Sequence, residues 1–112
     1  MPFRSKETLE RWVAEFGTFG HDVEGAVEVL LQDGRDGSDT GLVVVRLVHA
    51  PTDVYMQPVG PGNPRWEINF SARGRDFTLQ AQELLGLAHE LTVASALCTF
   101  LERKSYDHIE TM

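Results

Sequence analysis

The chain has 112 residues, 42% of them hydrophobic and 24% charged, with a formal net charge of -7. That charge disfavours nucleic acid and anionic membrane surfaces as partners, because both are held by clustered Lys and Arg. The single cysteine excludes an internal disulfide and fits a reducing cytoplasm, which is the expected location.

The length fits one domain, able to bury a core yet small enough to gain from oligomerisation. Residues 1–20 lack a basic start followed by an apolar run, so no secretory leader is expected. No window is expected to reach the length of a membrane span.

Ser5 stands where a helix N-cap is favoured, with Glu7 in the first turn. Leu9, Trp12, Val13 and Phe16 follow at helical spacing, and Gly17 ends the pattern. Trp12 lies in that apolar stripe and reads as a core anchor. His21 and Asp22 are sequence neighbours with no third group to make them an acid/base site.

Residues 25–32 and 41–49 read as two strands, with Val27, Val29 and Leu31 alternating in the first and GLVVVRLVH forming the second. Between them DGRDGSDTG is turn-rich. Its acids Asp33, Asp36 and Asp39 lack the alternate-position spacing of a calcium loop, and Arg35 stands among them, so a solvated hairpin tip is expected. Residues 54–59 form a third predicted strand, which Pro58 places at an edge or stops early. Gly60–Pro64 is a stiff connection with no phosphate-binding partner residues. Residues 65–72 form a fourth strand, in which Trp66, Ile68 and Phe70 share one side. Arg73, Gly74 and Arg75 make a turn.

The longest helical pattern runs from Thr78, an expected N-cap, to Lys104. Ala81, Leu84, Leu85 and Ala88 share a face in its first half. Val93, Ala94, Leu97, Cys98, Phe100 and Leu101 wrap much of the second half, beside the small residues Ala88, Thr92, Ser95 and Thr99. Residues 105–112 read as a frayed polar tail.

The predicted fold is a single α+β domain over residues 1–112: a helix, a four-stranded antiparallel meander, and a long C-terminal helix packed on one face of the sheet. The inward residues would be Val27, Val29, Leu31, Val43, Val45, Leu47, Val54, Met56, Trp66, Ile68 and Phe70. The outward face would still carry Leu30, Leu42, Val44, Val48 and Tyr55, more apolar surface than a solvated sheet face should show.

No catalytic site, metal site or cofactor is expected. Cys98 lies mid-helix among apolar residues, where a thiol acts as a small hydrophobe. His89-Glu90 lacks the second His of a zinc-protease helix, since position 93 is Val. Arg65, Arg73 and Arg75 cluster around the last hairpin and suit bidentate recognition of a carboxylate or phosphate. With Arg46, Tyr55 and Trp66 they are the candidate binding residues. No family is recognisable from these residues.

The first functional reading is a non-catalytic protein-interaction module, a homodimer in the cytoplasm. Its subunit contact would lie on Val93, Leu97, Phe100 and Leu101 or on the outward sheet face, unless the first helix of the same chain covers that surface. Another protein is the alternative occupant. A second reading is a small-molecule-binding or enzyme-like domain with a pocket between sheet and helix, lined by Tyr55, Trp66 and Arg73. A third is an acidic inhibitor or immunity-type protein for a basic partner, resting on the charge alone.

Overall fold

Ser5 starts helix α1 (Lys6–Gly17) as expected, its hydroxyl accepting the Thr8 N–H at 3.2 Å. Leu9, Trp12 and Phe16 are buried along one stripe, and Thr18 closes the last turn through the Glu15 and Phe16 carbonyls. The structure is a computed structural model that describes residues 5–18, 27–31, 41–49, 52–59, 63–71 and 76–110. The acidic hairpin tip, His21-Asp22, the Gly60–Gly62 part of the kinked loop, and Arg73–Arg75 lie outside the described residues.

Four strands follow: β1 (Val27–Leu31), β2 (Gly41–Arg46), β3 (Asp53–Pro58) and β4 (Trp66–Phe70). They pair antiparallel in the order β1-β2-β3-β4, the expected meander. Val45 lies opposite Val27 and Val54, and Val54 opposite Phe70. In the next row Val29, Val43, Met56 and Ile68 are paired in turn. One side of the sheet therefore carries an apolar residue at almost every position. Pro58 ends β3, which is an inner strand, so the proline acts as a stop and not as an edge marker.

Helix α2 (Ala81–Glu110) crosses that side of the sheet. Ala94, Leu97, Cys98, Leu101 and Ser105 form its buried stripe, and α1 packs beside it. The two helices and the inner sheet face share one core of Leu9, Trp12, Phe16, Val43, Val54, Met56, Leu97 and Leu101 among others. Burying a single Leu of this kind is worth about 1.5–3 kcal/mol against leaving it in water. The ends of the helices are tied together by the Lys104–Glu15 ion pair at 2.7 Å, and Trp12 meets the His108 ring edge-on at 5.7 Å.

Both bounds of α2 correct the sequence reading. Thr78 is not the cap. The Glu83 carboxylate turns back to accept the Gln80 N–H at 3.0 Å, and the helix starts after Gln80. At the other end, residues 105–110 are helical and Ser105 is fully buried. Tertiary partners hold what local polarity suggested would fray.

Ile68 and Phe70 also depart from expectation. They face the helix side, yet are 38% and 59% exposed. β4 is an edge strand, and α2 reaches its start at Trp66 without covering its far end. Finally, an 18-residue stretch within Ala81–His108 reaches mean hydropathy 1.6, so this helix is long and apolar enough to cross a membrane and the expectation that no window reaches that length fails. The same helix gives Ala94, Leu97, Cys98 and Leu101 to the core, although only 22% of that stretch is buried.

Candidate functional site

The strand alternation that fills the core also fixes what lies on the opposite face. Leu30, Leu42, Val44 and Tyr55 point there, and both helices pack on the other side. Leu30 pairs with Leu42, and Val44 pairs with Tyr55, so the four form a continuous strip over three strands. Leu30 is 38% exposed, and the other three are half-buried by their neighbours in the sheet. Polar pairs flank the strip. Arg46 donates to Glu28 at 2.7 Å, and Gln57 donates to Glu67 at 2.8 Å. Among the sequence candidates, Arg46 and Tyr55 therefore belong to this face.

Trp66 does not. It lies beneath α2, its backbone N–H donating to Glu102 at 3.1 Å and its indole N–H to Ser105 at 2.8 Å. Tyr55 and Trp66 occupy opposite faces of the sheet, so the pocket expected between them is not formed by these two residues. Arg73, its third member, lies outside the described residues, as does Arg75. Of the proposed helix contacts, Leu97 and Leu101 are 1% and 0% exposed within the chain's own core, with Val93 and Phe100 partly buried against it.

Arg65 instead meets α2. It lines a groove of about 390 Å³ with Pro64, Thr99, Glu102, Arg103 and Tyr106. Thr99 and Arg103 also line a second groove of about 580 Å³, on the side of α2 towards Phe16 and Phe100.

A third cluster joins β2 to α2. The Glu90 carboxylate accepts the Val48 N–H at 2.7 Å and the His49 N–H at 3.0 Å, and lies 2.7 Å from His49 Nδ1. Burial pushes the Glu90 carboxyl upward. The hydrogen bonds from Val48 and His49, with the His49 charge, outweigh it and hold the carboxyl below its ordinary value. Gly86 lets the His49 ring lie against the helix, since a Cβ there would be 2.6 Å from Nε2. Cys98 is buried, and burial followed by the Glu102 charge pushes its thiol up to about 11. Such a thiol is a poor nucleophile at neutral pH.

No family model, curated protein or solved structure matches this chain.

The geometry thus stands alone as the guide to function. Among the described residues, no group of three or more His, Cys, Asp or Glu side chains is placed to hold a metal ion. Sequence reading named Arg46 and Tyr55, which lie on the open face, and Arg65, which lines a groove with Arg103; it did not single out Arg103 beside Arg65, or Glu90 as the partner of His49. Neither pair has a motif, and each joins a strand end to a helix far along the chain.

Proposed function

We propose that this chain is a non-catalytic protein-interaction module that pairs with a second copy of itself through the open sheet face. One observation carries the reading: both helices lie on one side of the sheet, and the strip of Leu30, Leu42, Val44 and Tyr55 on the other side has no covering layer among the described residues. Sheet faces of this kind are polar when solvent is their only neighbour.

A second copy suits the strip better than a strongly charged partner. Glu28 and Arg46 already neutralise each other within the face. Across a two-fold axis the same surface meets itself, apolar strip to apolar strip, and Glu28 of one copy can face Arg46 of the other. A reducing compartment suits the buried free thiol of Cys98, which supports a cytoplasmic setting.

Light scattering at two protein concentrations tests the pairing. The expected result is a dimer mass for the natural chain, and a monomer mass for Leu30→Asp and for Val44→Asp with the helical circular dichroism retained. Leu85→Asp is the control. Leu85 is 73% exposed on α2, away from the sheet face, and this variant stays dimeric. A monomer of the natural chain at both concentrations would falsify the reading, and so would dimers that survive both strip substitutions.

A further inference from the structure

The apolar rows on the helix side of the sheet end differently at its two edges. In one row Val29, Val43 and Met56 are buried, and Ile68 at the end is 38% exposed. In the other, Val45 and Val54 are buried, and Phe70 is 59% exposed. At the β1 edge α1 packs alongside and Val29 is kept from water. At the β4 edge α2 covers the start of the strand at Trp66 and leaves Ile68 and Phe70 open.

The main chain is open along the same edge. Val59 donates to the Arg65 carbonyl at 2.9 Å and Ser71 to the Asp53 carbonyl at 3.0 Å, so the odd-numbered positions from Arg65 to Ser71 bond towards β3. Ile68 and Phe70 therefore direct their N–H and C=O groups away from β3, in the plane of the sheet. No described residue pairs with these groups. The Trp66 N–H, by contrast, is taken by the Glu102 carboxylate at 3.1 Å. Edge strands are ordinarily blunted by charge, proline or a covering element. Only Asn69 stands between Ile68 and Phe70.

Unpaired donors and acceptors at strand spacing call for another strand, because a helix has already spent its main-chain groups on itself. In an added antiparallel strand, the residues opposite Ile68 and Phe70 lie on the helix side and extend both apolar rows. The residues between them fall on the other side, beside the exposed Glu67. We infer that the free edge of β4 takes up an extended segment of another protein, antiparallel, with apolar residues at alternate positions and Lys or Arg between them. The basic residues answer Glu67 and a chain of net charge -7. This contact does not use the strip of Leu30, Leu42, Val44 and Tyr55 and is independent of pairing through it.

Calorimetric titration of the full chain with acetyl-Lys-Val-Lys-Val-Lys-Val-Lys-amide tests the edge. Saturable binding is expected, with slowed hydrogen exchange at the Ile68 and Phe70 amides. N-methylation of the valines blocks the amides that face β4 and should abolish binding, whereas N-methylation of the lysines falls on the far side and should leave it. The peptide with Glu in place of Lys should bind about tenfold more weakly, and Phe70→Ala should weaken the Lys peptide by about the same factor. Leu85→Asp, on the exposed side of α2, should leave the affinity in place. Absence of binding at millimolar peptide, affinity that does not follow the valine amides, or equal affinity for the Glu peptide overturns the inference. A solution mass above the dimer that Phe70→Lys removes would give the edge to a second copy and overturn it as well.

Discussion

The indole N–H of Trp66 donates to the Ser105 hydroxyl at 2.8 Å, and neither side chain has meaningful access to water. This bond fixes the start of β4 against the last turns of α2. It also explains why a polar residue sits at a fully buried helix position.

Removing the acceptor strands a buried donor, which costs about 1–3 kcal/mol. Ser105→Ala is expected to lose stability in that range. Trp66→Phe removes the donor as well as some volume, so adding Ser105→Ala to it should cost clearly less than Ser105→Ala alone. Urea melts of the four chains give the coupling. Strictly additive effects would show that the bond contributes nothing beyond packing.

Glu90 makes the far end of the α2 contact sensitive to acid. Its folded carboxyl lies below its ordinary value of 4.5 because of the Val48 and His49 hydrogen bonds, despite burial. The unfolded chain therefore takes up this proton first as pH falls. The associated stability is fully present above about pH 4.5 and is lost on descent through the lower folded value. Hydrogen bonds to a charged group suggest on the order of 1.5–3 kcal/mol for Glu90→Gln at pH 7. Denaturation midpoints measured from pH 7 to pH 3 should show that gap narrowing below pH 4.5. A gap that stays constant across the range would remove Glu90 as the acid-sensitive group.

Gly86 sets helix propensity against tertiary fit. Alanine is favoured over glycine in a helix by about 1 kcal/mol. Here its Cβ would meet the His49 ring at 2.6 Å, and that ring is held by Glu90 at 2.7 Å. Gly86→Ala should therefore gain little or lose stability in the natural chain. In a His49→Ala background the same substitution should stabilise by about 1 kcal/mol. Thermal melts in both backgrounds decide it, and identical shifts would mean that the imidazole does not constrain the helix.

Much of the fold was legible because strand alternation is local. Val27 and Val29, Val43 and Val45, and Val54 and Met56 mark a single side, and short connections leave a meander as the simple solution. The same alternation says which side Ile68 and Phe70 take, but not whether a helix passes over them. That depends on the path of α2 across the sheet, which is set by contacts such as Glu102 with Trp66. Local polarity likewise misread residues 105–110, since Ser105 and His108 are held by Trp66 and Trp12 from distant parts of the chain. The candidate groups suffered most. His49 and Glu90 are 41 residues apart, and nothing in either neighbourhood marks them as a pair.

The order of elements also bears on how the protein emerges from synthesis. The lid of the core is the stretch from Ala94 to Ser105, translated after α1 and every strand. Until it arrives, Val43, Val54 and Met56 have no α2 above them, while Leu30 and Val44 line the opposite surface. A nascent chain at that stage displays apolar residues on both sides of its sheet. Ribosome-associated chaperones that shield such surfaces would matter most during this interval and least once α2 has docked.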